Sequence, residues 1–191
     1  VGGQISPDTF HRFKAMGTLT AELSNPMGTN ALALNTNREP TKDLAVRQAI
    51  NHAVDKDTMI ATLLYGTEKR ADTLFAPNVP YANIGLKPYS YDPALAAELL
   101  DKAGWKLESG ANVRSRDGQR LSIELCYVGT DAVSKSMADI VQADLAKVGI
   151  EVTLVGEEES SVYARQNHGR FGMIFNRTWG APYDPHAFVS S

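Results

Sequence analysis

Apolar positions along the chain repeat with two periods, and the alternation between them predicts the elements. Ser6-Pro7-Asp8 followed by Thr9–Ala15 reads as a short capped helix with Phe10 and Phe13 on one face. Residues 18–23 and 30–35 carry strand-like runs (Leu19, Ala21, Leu23; Ala31, Leu32, Ala33, Leu34) around Asn25-Pro26-Met27-Gly28, which predicts two strands and a turn. After Arg38-Glu39-Pro40, a helix is expected with Leu44, Ala45, Ile50, Ala53 and Val54 sharing a face. Asp55-Lys56-Asp57 interrupts it, and Met59, Ile60, Leu63 and Leu64 carry a second helix to Gly66. Residues 76–91, with Pro77, Pro80 and Pro88 among three tyrosines, have little periodicity and are expected to form an extended ordered loop. Asp92-Pro93 then opens a helix that closes at Gly104, and residues 110–118 read as a hairpin or loop.

The last seventy or so residues have the clearest organisation: strand 121–128, helix 132–148, strand 150–155, helix 158–167, strand 171–177. Strands separated by helices imply parallel pairing through right-handed crossovers, because a tight turn does not join parallel neighbours. The fold class expected is α/β. In open sheets of this kind ligands sit at the carboxyl ends of the strands. Those ends are 129–131, 156–157 and 178–183.

Composition narrows the picture by exclusion. The net charge of −3 and the lack of any like-charge run longer than Glu157-Glu158-Glu159 weigh against a nucleic-acid surface. No stretch is apolar enough to predict a membrane span. A lone cysteine, Cys126, excludes an internal disulfide and is expected to be a buried thiol. Phosphate-loop, dinucleotide, zincin and nucleophile-elbow signatures are absent, and no two of His11, His52, His168 and His186 stand four apart as ligands on one helix face. His52 is expected to make a half-buried polar contact, and the three consecutive acids to favour a helix start. Asn176-Arg177-Thr178 matches a glycosylation sequon by coincidence.

Trp179-Gly180-Ala181-Pro182-Tyr183-Asp184-Pro185-His186 differs in kind. A Trp and a Tyr four apart at the end of a parallel strand supply rigid apolar planes with polar edges. On position alone two readings stay open: the wall of a cleft, or a plug of the sheet end. The opening Val1-Gly2-Gly3-Gln4 and the stop shortly after His186 lead us to expect a piece of a longer chain.

Four motifs make the chain resemble the extracellular solute-binding proteins of bacterial ABC importers, in the large group that binds peptides and nickel. They are L-A-L-N-T at Leu32–Thr36, V-R-Q-A-I-N-H-A-V-D-K at Val46–Lys56, D-P-A-L-A-A-E-L-L-D-K-A-G-W at Asp92–Trp105 and W-x-A-x-Y-D-P at Trp179–Pro185. The resemblance covers nearly the whole chain. It implies a lobe like those of type II periplasmic binding proteins, with a β-α-β-α-β parallel unit and additional helices. It assigns 1–37 to the end of a first lobe with crossover strands, and 38–191 to a second lobe truncated at its C-terminal end. Peptide-binding relatives commonly carry an acid after the Trp that fixes a peptide's ammonium, and here Pro182 stands there. Burying an ammonium without a counter-charge costs several kcal/mol, so the resemblance turns towards the nickel-binding members.

What that resemblance implies is a non-enzymatic, periplasmic, monomeric protein that binds nickel as a small organic chelate and delivers it to the membrane subunits of an ABC permease. The residues expected at the ligand are Trp179, Tyr183 and Arg177. No metal ligand and no tightly bound cofactor are expected in this stretch. His186 is not counted, because the family's metal-associated histidine follows later than this segment. A dipeptide or oligopeptide binder is the alternative, and a small hydrolase or transferase on the same β-α-β-α-β unit is the reading from another class.

Overall fold

A computed structural model describes residues 5–18, 20–24, 28–75, 79 and 83–178. The chain forms two compact units. One comprises Val1–Asn30, Lys56–Lys87 and Arg177–Ser191, the other Ala31–Asp55 and Pro88–Asn176.

The second unit is built on a four-stranded sheet. Its strands are β1 (Asn30–Leu34), β4 (Ser122–Val128), β5 (Glu151–Glu157) and β6 (Met173–Arg177), in the order β1-β6-β4-β5. β4 pairs in parallel with both β5 and β6, with Leu125 opposite Leu154 on one side and Met173 on the other. The expected β-α-β-α-β unit is therefore present, completed by α5 (Ala132–Ala146) and α6 (Glu159–Asn167) as crossovers. Alternation along β4 puts Ile123, Leu125 and Tyr127 on one face and Cys126 on the other. Apart from the exposed Glu124, both faces are buried or half-buried, so the strand reads as a nearly continuous apolar run. Cys126 packs with Val162 of α6, Ile174 and Phe171, and burial pushes its thiol above its ordinary pKa.

Helix ends follow their local chemistry. Asp43 caps α2 (Leu44–Ala53), Asp92 caps α4 (Pro93–Lys102) and Asp131 caps α5, each carboxylate accepting an N–H of the first turn. The expected helix to residue 148 stops at Ala146, because Gly149 turns left-handed and the Ile150 N–H closes on the Leu145 carbonyl. β5 runs two residues further than expected, so Gly156 and Glu157 lie within the strand. Residues 110–118 contain the first half of a hairpin, β2 (Ser115–Arg116) and β3 (Gln119–Arg120), turned by left-handed Asp117 and Gly118. Leu44 is exposed, and the buried face of α2 is instead Val46, Ala49, Ile50 and Ala53, which packs on α4. His52 makes the expected half-buried contact, its Nδ1 2.8 Å from the Ser90 carbonyl.

In the first unit, Ser6 caps α1 (Pro7–Met16), with Phe10 buried and Phe13 exposed. α3 (Lys56–Thr62) buries Met59. The strand expected over 18–23 is not formed in its described residues: Leu23 is exposed and no partner strand is paired to it. Residues 83–91 run without helix or strand, as expected, while 76–78 and 80–82 lie outside the described residues.

Candidate functional site

The carboxyl edge of the parallel sheet was the place to look. In the second unit that edge is occupied by internal bonds. Asp131 spends one carboxylate oxygen on the Val133 N–H and the other on the Ser134 hydroxyl, 2.6 Å away. Glu157 at the end of β5 receives two guanidinium bonds from Arg165 of α6, at 2.7 and 2.8 Å, which holds its carboxyl below the usual range. Arg165 also lies 3.8 Å from Glu124 and is held more firmly protonated by Glu157. Glu157 is thus a strand residue in an ion pair, and Glu158 caps α6 without a side-chain bond. The expectation that all three acids serve the helix start is corrected to Glu158 and Glu159.

The two strand ends also come unusually close. A side chain at Gly129 would meet the Gly156 backbone at 3.2 Å, and one at Gly156 would meet the Tyr127 ring at 3.0 Å. Among the described residues no group of His, Cys, Asp or Glu is arranged to hold a metal ion.

At the end of β6 the chain passes into the first unit, and there the expected site begins. Arg177, its last residue, is exposed. Trp179 and Tyr183 lie outside the described residues, as does His186. Between them Thr178 is buried. Its N–H donates to the Thr29 carbonyl at 2.9 Å, and its Oγ1 accepts from the Thr29 N–H at 2.8 Å. Gly28 sits against this pair: a Cβ built there would stand 2.7 Å from the Thr178 carbonyl oxygen and 3.6 Å from Arg177 Nε. Sequence reasoning took Gly28 for a turn residue and Thr178 for the start of a strand end, and passed over Thr29 and the contact between them, since neither spacing nor residue type marks a contact between segments so far apart in the chain.

Comparison with known proteins gives this edge a context. A family model, bacterial extracellular solute-binding proteins, family 5 Middle, matches residues 3–191. The nickel-binding periplasmic protein of Escherichia coli strain K12 is 60% identical over 189 residues, 99% of this chain and 36% of that protein. The structure of NikA from Brucella suis in complex with Fe(III)-EDTA superposes with a TM-score of 0.93 at 74% identity, covering 97% of this chain and 37% of that one. NikZ from Campylobacter jejuni in complex with Ni(L-His) gives a TM-score of 0.73 at 32% identity, covering 83% and 31%. The chain spans about a third of the length of these relatives.

Proposed function

The chain belongs to family 5 of the bacterial extracellular solute-binding proteins, and on that premise we propose that it is part of a periplasmic nickel-binding protein of an ABC importer. The cargo is nickel held in a small organic chelator, passed on to the membrane subunits of the permease. One observation carries this reading: the 60% identity, over 99% of the chain, to a nickel-binding periplasmic protein. The ligands named for NikA and NikZ, Fe(III)-EDTA and Ni(L-His), are both metal chelates. A chelate brings its own donor atoms, so a binding surface for it needs planes and counter-charges more than a cage of protein ligands.

Trp179 and Tyr183 are proposed as the aromatic walls, with Arg177 as the cation facing the chelator's carboxylates. Pro182 supports the chelate over a peptide, since it offers no charge to an ammonium. In this reading 1–37 ends a first lobe and 38–191 forms most of a second. The protein works as a monomer, has no catalytic role and holds no cofactor other than its cargo.

Isothermal titration with nickel(II) alone and with nickel(II) plus L-histidine tests the proposal. The full-length protein is expected to bind the histidine complex one-to-one. The 191-residue chain is expected to bind only weakly, because pockets that hold small molecules well bury most of the ligand. Absence of chelate binding by the full-length protein, with peptides binding instead, would overturn it.

A further inference from the structure

We infer that the Tyr127 hydroxyl is a hydrogen-bond donor to the cargo, meeting a carboxylate oxygen of the chelator at the carboxyl edge of the sheet in the second unit, with Gly129 and Gly156 keeping the approach to it bare. The inference rests on the reading of the cargo as a metal chelate and adds a contact for it on this unit.

Tyr127 is the penultimate residue of β4 and stands beside Gly156 of β5, one pair before the ladder ends at Val128 and Glu157. Paired neighbours share a face of the sheet, and the Tyr127 ring fills the space that a Gly156 side chain would need. A Cβ there would meet Cζ and the hydroxyl oxygen at 3.0 Å each, and Cε2 at 3.2 Å. The ring thus lies across the backbone of β5, the outermost strand on that side of the sheet. Covering a bare glycine on an edge strand accounts for the ring. It does not account for the oxygen, because a phenylalanine would cover Gly156 equally well.

Tyr127 is 8% exposed, and a phenol buried to that degree usually has a partner for its O–H. At the same edge the carboxylates of Asp131 and Glu157 have theirs. Among the described residues the Tyr127 hydroxyl has no hydrogen-bond partner, yet no fully buried side-chain oxygen or nitrogen is left without one, so the exposed remnant of Tyr127 includes the hydroxyl. It emerges beside Gly156, which is exposed, as is Gly129. A side chain at Gly129 would press on the Gly156 backbone at 3.2 Å and the Glu157 nitrogen at 3.4 Å. Neither glycine has a left-handed φ, so both positions call for glycine by space alone.

Open parallel sheets bind their ligands at this edge. A phenol donates one hydrogen bond, and a carboxylate oxygen is its strong partner, since a charge-assisted bond is about twice as strong as a neutral one. L-histidine and EDTA both carry carboxylates.

The test uses the full-length protein, unaltered and as Tyr127→Phe and Gly156→Ala, titrated with nickel(II) plus L-histidine and with Fe(III)-EDTA. Tyr127→Phe keeps the ring over Gly156 and removes one oxygen. Binding is expected to weaken about five- to tenfold, the net worth of one hydrogen bond, with the thermal midpoint unchanged. Gly156→Ala pushes on the ring and should weaken binding as well. With tyrosines carrying carbon-13 at Cζ, the NMR signal that Tyr127→Phe removes should move when chelate is added, which a packing role alone would not produce. If the unaltered protein binds chelate and Tyr127→Phe binds as tightly, or the Tyr127 signal stays still, the inference is overturned and the chelate reading stands. If the unaltered protein binds neither chelate, the reading of the cargo has failed and the contact falls with it. Should Tyr127→Phe not fold, Gly156→Ala identifies the Tyr127 signal by displacing it, and a signal unmoved by chelate overturns the inference.

Discussion

The two compact units are held together by different physics. In the second, buried apolar side chains run from Val46 of α2 and Leu100 of α4 through Ile123 and Leu125 of β4 and Val141 and Leu145 of α5 to Met173 and Ile174 of β6. Among the described residues of the first, the buried apolar side chains are Phe10, Met59 and Leu64. Polar pairs link its segments instead. Arg70 bonds Asp57 and Asp72, Lys56 bonds Asp72, Asn30 bonds Glu68, and His11 stacks on Tyr65. Burial of an aliphatic side chain is worth about 1.5–3 kcal/mol, whereas an exposed ion pair contributes about 0–1. The difference teaches a division of labour: the unit with the core draws its stability from burial, while the described segments of the other are tied by polar bonds.

Leu125→Ala is the largest perturbation expected. It empties a fully buried position between β5 and β6 and should cost towards 5 kcal/mol, while Met59→Ala, at the margin of the first unit, should cost nearer 2, both within the range for such truncations. Guanidinium unfolding of the two variants measures the gap, and equal losses would break the contrast. Next comes Arg114, a buried charge inside the second unit. It donates to the Val148 and Trp105 carbonyls at 2.7 and 2.8 Å and to Asp101 at 2.8 Å. Arg114→Leu leaves both carbonyls unpaired and should cost roughly 2–4 kcal/mol, with Arg114→Lys a poor substitute because it lacks the planar fork.

How far each unit could be read from sequence follows the same division. The parallel unit was legible because burial on both faces writes uninterrupted apolar runs, and because aspartate caps and glycine stops mark helix ends by residue type. The buried face of α2 was read in part: Ile50 and Ala53 are buried as expected, while Val46 and Ala49 are buried in place of Leu44 and Ala45. Leu44 looks like core, yet it is the first residue of α2 and is exposed. The strand expected at 18–23 rested on three alternating positions, and alternation without a partner does not make a strand. Of the proposed site, position and aromatic character left Trp179 and Tyr183 open between a cleft wall and a plug, and the family resemblance made them ligand candidates. The Gly28–Thr29–Thr178 contact left no sequence signal, because its logic is contact between distant segments.

Trp179→Ala separates binding from stability within this scheme. If Trp179 is a wall of the site, the variant should lose about 1–3 kcal/mol of chelate affinity in the full-length protein with its thermal midpoint nearly unchanged. Titration alongside differential scanning calorimetry reads both quantities. A midpoint that falls as for a core Trp→Ala truncation, about 3–5 kcal/mol, would make Trp179 a plug of the sheet end.

The smallest effect concerns acid. Burial alone would raise the Asp72 carboxyl, but hydrogen bonds and charge from Lys56 and Arg70 outweigh it and hold the group below the ordinary carboxylate range. A carboxylate whose folded pKa is depressed contributes stability that is fully present above its unfolded value, near ~4, and is lost as pH falls through the lower folded value. Protonation there weakens the bonds of Lys56 and Arg70 to Asp72 while Arg70 keeps its bond to Asp57, so the segment 56–72 should loosen while the sheet persists. With Asp72 partly exposed, the loss should be about 1 kcal/mol or less. Asp43 in the second unit is likewise lowered, against its burial, by Arg116, the Ala45 N–H and Trp105, and its protonation should loosen both the cap of α2 and the bonds to Arg116 and Trp105. Two-dimensional NMR across an acid titration resolves the order. Amides of 56–72 should shift first, Asp72→Asn should abolish that shift, and the amides of Leu125 and Ile174 should stay unmoved. Sheet amides moving first would mean that polar pairs, and not the core, limit the stability of the second unit as well.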